Sequence, residues 1–105
     1  MFRFRNKQNS VPASITETIN MVKNIFKNSS DISIKPIETP LKPALIVYVD
    51  GLINQDLLQR DIISPLKSKD FDGNINLAMK TPFIEVTDTS EFVKEVLNGQ
   101  IALFY

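Results

Sequence analysis

The sequence predicts an α/β domain: a small mixed sheet, its edge strand antiparallel and its central strands parallel, with helices packed against it. Three observations lead there. Ala44–Val49, ALIVYV, is an unbroken apolar run rich in β-branched residues and bounded by Pro43 and Asp50-Gly51, the pattern of a strand buried on both faces. Leu58, Ile62 and Leu66 follow at steps of four, one face of a helix docked back on that strand. Residues 101–105, IALFY, are continuously apolar again and read as a second buried strand. With 105 residues, 43% of them hydrophobic and 23% charged, the chain has an ordinary globular balance and room for one modest core.

Taken in order, residues 1–13 are polar and basic, with Arg3, Arg5 and Lys7 and a break at Pro12. Their composition reads as a flexible tail, and three charges at about 1 kcal/mol each are too few to anchor a chain stably on a membrane. The single α/β unit is then expected over residues 14–105. Ser14 and Glu17 form a Ser-x-x-Glu capping box for a helix over residues 14–27. Its apolar stripe is Ile15, Ile19, Val22 and Phe26, with Lys23 and Lys27 at the end that favours cations. In residues 31–37, Ile32 and Ile34 alternate with Ser33 and Lys35, a half-buried strand. Pro36 cannot donate to a ladder, so the strand should lie at a sheet edge or end there. The link to the next strand, with Pro40 and Pro43, is too short for a helical crossover, so the two strands should be antiparallel.

After Asp50-Gly51, Asn54 is the expected helix cap, with Asp56 in the first turn. Ser64-Pro65 allows a kinked helix, or a fresh short helix capped by Ser64 with Pro65 at its first position; the second reading is preferred. Residues 67–76 read as a loop. Ile75, Leu77 and Met79 alternate, Lys80-Thr81-Pro82 breaks any element, and residues 83–86 suit a short strand. Asp88 and Glu91 cap a last helix with Phe92, Val93, Val96 and Leu97 on its apolar side and Asn98-Gly99 as its stop. Because helices intervene between Val49 and Ile101, those two strands are expected to be parallel, joined by a right-handed crossover.

Composition excludes several functions. There is no cysteine and no histidine, so disulfides, thiolate metal sites and Ser-His-Asp or Cys-His catalysis are out. There is no Gly-rich phosphate loop, so neither an enzyme nor a bound cofactor is expected. Net charge is zero, which gives no bulk attraction to nucleic acid. The charge is uneven, however: the first residues are basic, and Glu85, Asp88, Glu91 and Glu95 outweigh Lys94 toward the end. No apolar run nears the roughly 20 residues of a membrane helix. Residues 70–74, DFDGN, have a calcium-loop flavour, but glycine falls at the fourth position and Thr81 at the twelfth, so no metal site is expected.

The stretch ALIVYVDGLINQDLLQRDIISPL resembles the signature of the A subunit of GerA-type nutrient germinant receptors of spore-forming bacteria. The residues that carry the resemblance are the apolar strand, Asp50, Gly51 and Leu52, then Gln59, Arg60, Asp61 and Ile62, then Pro65 and Leu66. It extends more weakly from about Ile15 to Tyr105. The resemblance implies the first subdomain of a soluble N-terminal region, with this chain an excised part of it, since a buried strand rarely finishes a natural protein. It also implies a place in the inner spore membrane through a C-terminal part beyond this chain, with this region on the cytosolic side. The implied partners are a transporter-like B subunit, a lipoprotein C subunit and other A subunits. The implied role is interaction and signal transduction in nutrient-triggered germination; the competing role is binding of the small nutrient itself.

The candidate ligand or clamp residues are Asp50, Gly51, Asn54, Arg60 and Asp61. Asp50 stands at a strand's carboxyl end, where open α/β sheets bind ligands, although Asp-Gly also serves simply as a turn. Arg60 and Asp61 lie off the apolar stripe. They are either a solvated ion pair or, with Arg60 reaching back to Asp50, a clamp on the strand-to-helix junction.

Overall fold

The structure, a computed structural model, describes residues 1–5, 15–79 and 83–105. Among these residues, five strands form one sheet in the order β2-β3-β5-β1-β4: β1 (Phe2–Phe4), β2 (Ile32–Ile37), β3 (Ala44–Val49), β4 (Ile84–Val86) and β5 (Ala102–Phe104). The helices are α1 (Ile15–Ile25), a continuous helical stretch over residues 55–67, α4 (Ile75–Ala78) and α5 (Thr89–Leu97). The 55–67 stretch consists of α2 (Gln55–Leu57), a π-helical segment (Leu58–Ile63) and α3 (Ser64–Lys67). This is the α/β class read from the sequence, with a mixed sheet.

Both faces of the sheet are covered at β3 and β5, which is why these two strands carry no polar alternation. Leu45, Val47, Ala102 and Phe104 face α1 and α5, while Ala44, Ile46, Tyr48 and Leu103 face the 55–67 helix. Leu45, Ile46 and Val47 are fully buried, each side chain contributing about 1.5–3 kcal/mol by leaving water. The α1/α5 side is aromatic. Phe92 of α5 meets Phe2, Phe4, Phe26 and Phe104 with ring centroids 4.7–6.0 Å apart, the tilted and edge-on contacts favoured by the ring quadrupole.

Two expectations about strands are corrected. The first concerns the amino-terminal residues. Phe2–Phe4, expected within a flexible tail, form β1 in the interior of the sheet, parallel to both β4 and β5. Phe2, Arg3, Phe4 and Arg5 alternate with period two, and burying two phenylalanines outweighs the basic composition. Residues 6–14, with Lys7, Pro12 and the Ser14 half of the capping box, lie outside the described residues.

The second concerns direction. β3 and β5 are antiparallel, pairing Leu45 with Phe104 and Val47 with Ala102. Helices between two strands do not fix parallel pairing when a further strand reverses the chain. Here β4 does so, and the parallel crossover runs from β4 through α5 to β5, with β1 between the two strands. The antiparallel β2–β3 pair, with β2 at the edge, is as expected, and Pro36 lies opposite Leu45.

Helices at the expected places have different ends. Residues 75–78, alternating in sequence, form one helical turn capped by Asn74, whose side chain accepts from the Leu77 amide at 3.2 Å. Ser64 does not cap a fresh helix: its backbone is helical (φ −59°, ψ −44°) and its amide donates to the Gln59 carbonyl five residues back. Proline lacks an amide and its ring crowds the carbonyl four residues earlier, and the wider π spacing ahead of Pro65 accommodates both defects without ending the helix. Lys80, Thr81 and Pro82, expected to break the chain, lie outside the described residues.

Candidate functional site

The junction after β3 is a tight turn. The Leu52 amide donates to the Val49 carbonyl at 3.2 Å, and Gly51 has φ +86°, the positive value that a type II turn needs at its third residue. A Cβ on Gly51 would meet nothing within 4 Å, so glycine is required for its backbone angle and not for space. The Asp50 amide donates to the Asp31 carbonyl at 2.8 Å, and the Asp50 carboxylate accepts from the Ser33 hydroxyl. Both bonds tie the exit of β3 to the start of β2. Asn54 then caps the helix, its side-chain oxygen accepting from the amides of Asp56 (3.0 Å) and Leu57 (3.1 Å).

Arg60 does not reach Asp50. Its Nε and one terminal nitrogen donate to the two carboxylate oxygens of Asp61 at 2.9 and 3.4 Å. Arg60 is well exposed and Asp61 largely buried. The bonds to Asp61 raise the affinity of the Arg60 guanidinium for its proton, the direct hydrogen bond acting first and the charge second. Helical phase explains the separation: Leu58, Ile62 and Ile63 turn toward the sheet, which directs Arg60 to solvent. The structure thus brings Asp50 and Gly51 together, and Arg60 and Asp61 together, with Asn54 between the pairs as a cap. The Asp50–Arg60 clamp is replaced by two separate links, Asp50–Ser33 across the β2–β3 pair and Arg60–Asp61 within the helix.

Strand direction also changes what the position of Asp50 means. Because β3 runs against β5, Asp50 lies at the end of the sheet where β1, β4 and β5 begin. The rule placing ligands beyond the carboxyl ends of parallel strands therefore points to the opposite end. There Arg3 donates to the main-chain oxygen of Tyr105 at 2.7 Å, and Arg3 and Arg5 lie 4.0 and 3.6 Å from Glu85. Burial lowers the proton affinity of Arg3, with Arg5 adding to it and Glu85 opposing. Sequence reasoning missed Ser33 and this cluster. The period-two pattern of residues 2–5 was the signal for the cluster; nothing local marked Ser33 as a partner of Asp50.

The chemistry available at Asp50–Asp61 is that of a joint. Asp50, Asn54, Arg60 and Asp61 are each engaged with another group of the chain. Among the described residues, no group of three or more His, Cys, Asp or Glu is placed to hold a metal ion, and no helix is long and apolar enough to cross a membrane.

Neither the curated proteins nor the solved structures contain a match to the chain. Residues 20–105, which include the whole strand-turn-helix joint, match the family of Bacillus/Clostridium GerA spore germination proteins. On the strength of a match over most of its length, the chain belongs to the GerA spore germination protein family.

Proposed function

We propose that this domain is an interaction and signal-transduction module of a nutrient germinant receptor, acting on the cytosolic side of the inner spore membrane. Its partners in this reading are the transporter-like B subunit, the lipoprotein C subunit and other A subunits. The observation that carries it is the family match over residues 20–105. The geometry supports transduction over nutrient binding in one respect: the candidate polar groups already serve the fold's own turn, cap and ion pair. A joint of that kind transmits displacement between a buried strand and the helix docked on it. The discriminating experiment is an NMR titration of the protein, first with candidate nutrients such as amino acids, sugars and nucleosides, then with the soluble parts of B and C. Shifts on adding B or C, without saturable shifts from nutrients, are expected. Saturable nutrient shifts at residues 50–54 would instead make this a nutrient-binding domain.

A further inference from the structure

We propose that the edge of β4, which no other strand covers among the described residues, accepts, together with the cavity beside it, an extended segment of a partner protein as a further strand, a basic side chain of that segment entering the cavity toward Glu95. This goes beyond the receptor role above, since it names a surface and the chemistry of what binds there.

The two edges of the sheet are unlike. The β2 edge carries Lys35 and Pro36, residues that discourage pairing with a further strand. The β4 edge has neither within the strand, and it displays Ile84, 62% exposed. The hydrogen-bond register leaves that edge with groups to offer. The Arg5 amide donates to the Val86 carbonyl at 2.9 Å, and Phe4 pairs with Val86. In the alternation of a parallel ladder, Ile84 and Val86 then turn their amide groups toward β1, and Glu85 turns its N–H and C=O outward.

The cavity is the independent second observation. It measures about 320 Å³, opens at the amino ends of β1 and β4, and is lined by Met1, Phe2, Phe83, Ile84, Glu95 and Gln100. Ile84 is therefore both an exposed edge residue and a wall of the cavity. Strand addition gains affinity from main-chain hydrogen bonds and specificity from a pocket taking an alternate side chain, and both parts are adjacent here. The lining selects the side chain. Its apolar surfaces suit a long aliphatic stem and its carboxylate suits a cationic head, the division found in lysine and arginine. The Met1 ammonium, bonded to Gln100 at 2.8 Å, stands in the same cavity and already interacts with Glu95, so the entering cation shares that carboxylate with it. Charge along α5 agrees: Glu91 and Glu95 outweigh Lys94. Glu85 is matched on the other face of the sheet by Arg3 and Arg5.

The test is an NMR titration of the protein with two blocked pentapeptides, one alternating valine and lysine, the other valine and glutamate. The lysine peptide should give saturable shifts at the Glu85 amide and at Glu95, with at least tenfold tighter binding than the glutamate peptide. Glu95→Gln should cut that preference several-fold while leaving the protein's own spectrum otherwise unchanged. Equal binding of the two peptides, or shifts confined to residues away from Glu85, would overturn the proposal. Shifts at Glu85 that grow with protein concentration in the absence of peptide would also overturn it, in favour of a second copy of this chain on the edge.

Discussion

At the scale of single residues, the joint after β3 depends on three side chains whose roles differ in kind. Gly51 is there for a backbone angle: Gly51→Ala should destabilise by about 1–2 kcal/mol in denaturant melts, since a Cβ at φ +86° is strained even in open space. Asp50 is there for Ser33. Asp50→Ala and Ser33→Ala should each cost about 1 kcal/mol, and the double mutant should lose less than their sum, because each single change already breaks the one bond they share. Asp50→Ala combined with Arg60→Ala should be additive, and coupling between those two would restore the clamp that the sequence suggested. The aspartate, the glycine and the asparagine cap were legible in advance because turn and cap chemistry is local. Ser33 was not, because it meets Asp50 only when β2 pairs with β3.

At the scale of elements, the helix over residues 55–67 shows how a local defect is absorbed by tertiary packing. A proline at the eleventh residue of this helix favours a break, yet Leu58, Ile62, Ile63 and Leu66 all remain against the sheet. Keeping four apolar side chains buried outweighs one lost hydrogen bond, and the π segment is the geometry that preserves both chain direction and contact. Leu66→Ala should therefore cost about 2–5 kcal/mol, since it empties a fully buried position. Asn54→Ala, which removes only the cap, should cost about 1 kcal/mol. Chemical denaturation of the two variants would rank them, and a smaller loss at Leu66 than at Asn54 would contradict the packing described.

At the scale of the whole molecule, β1 decides the topology. It fills the place between β5 and β4, so the βαβ crossover through α5 closes only when the chain's first residues are inserted. Phe4→Ala should cost about 3–5 kcal/mol, and removal of residues 1–5 should abolish cooperative unfolding, because β4 would lose its strand partner among the described residues. A dispensable tail would leave both measurements unchanged. The same insertion makes β4 an edge and sets the cavity beside it, so the surface proposed for strand addition is a product of topology that no stretch of sequence encodes by itself.

Read locally, the residues gave the pieces: the buried strand Ala44–Val49, the edge strand with Pro36, the three longer helical stretches with the Asn54 and Asp88 caps, and the kinship of the strand-turn-helix stretch. These follow from hydrophobic period and turn chemistry, which act over a few residues. The direction of β5 against β3, the strand at residues 2–4 and the pairing of Arg60 with Asp61 emerged only on assembly. Each of these depends on which distant segments compete for the same neighbour in the sheet. That competition is settled by burial summed over the assembled core, where the phenylalanines of β1, β5, α5 and the end of α1 meet.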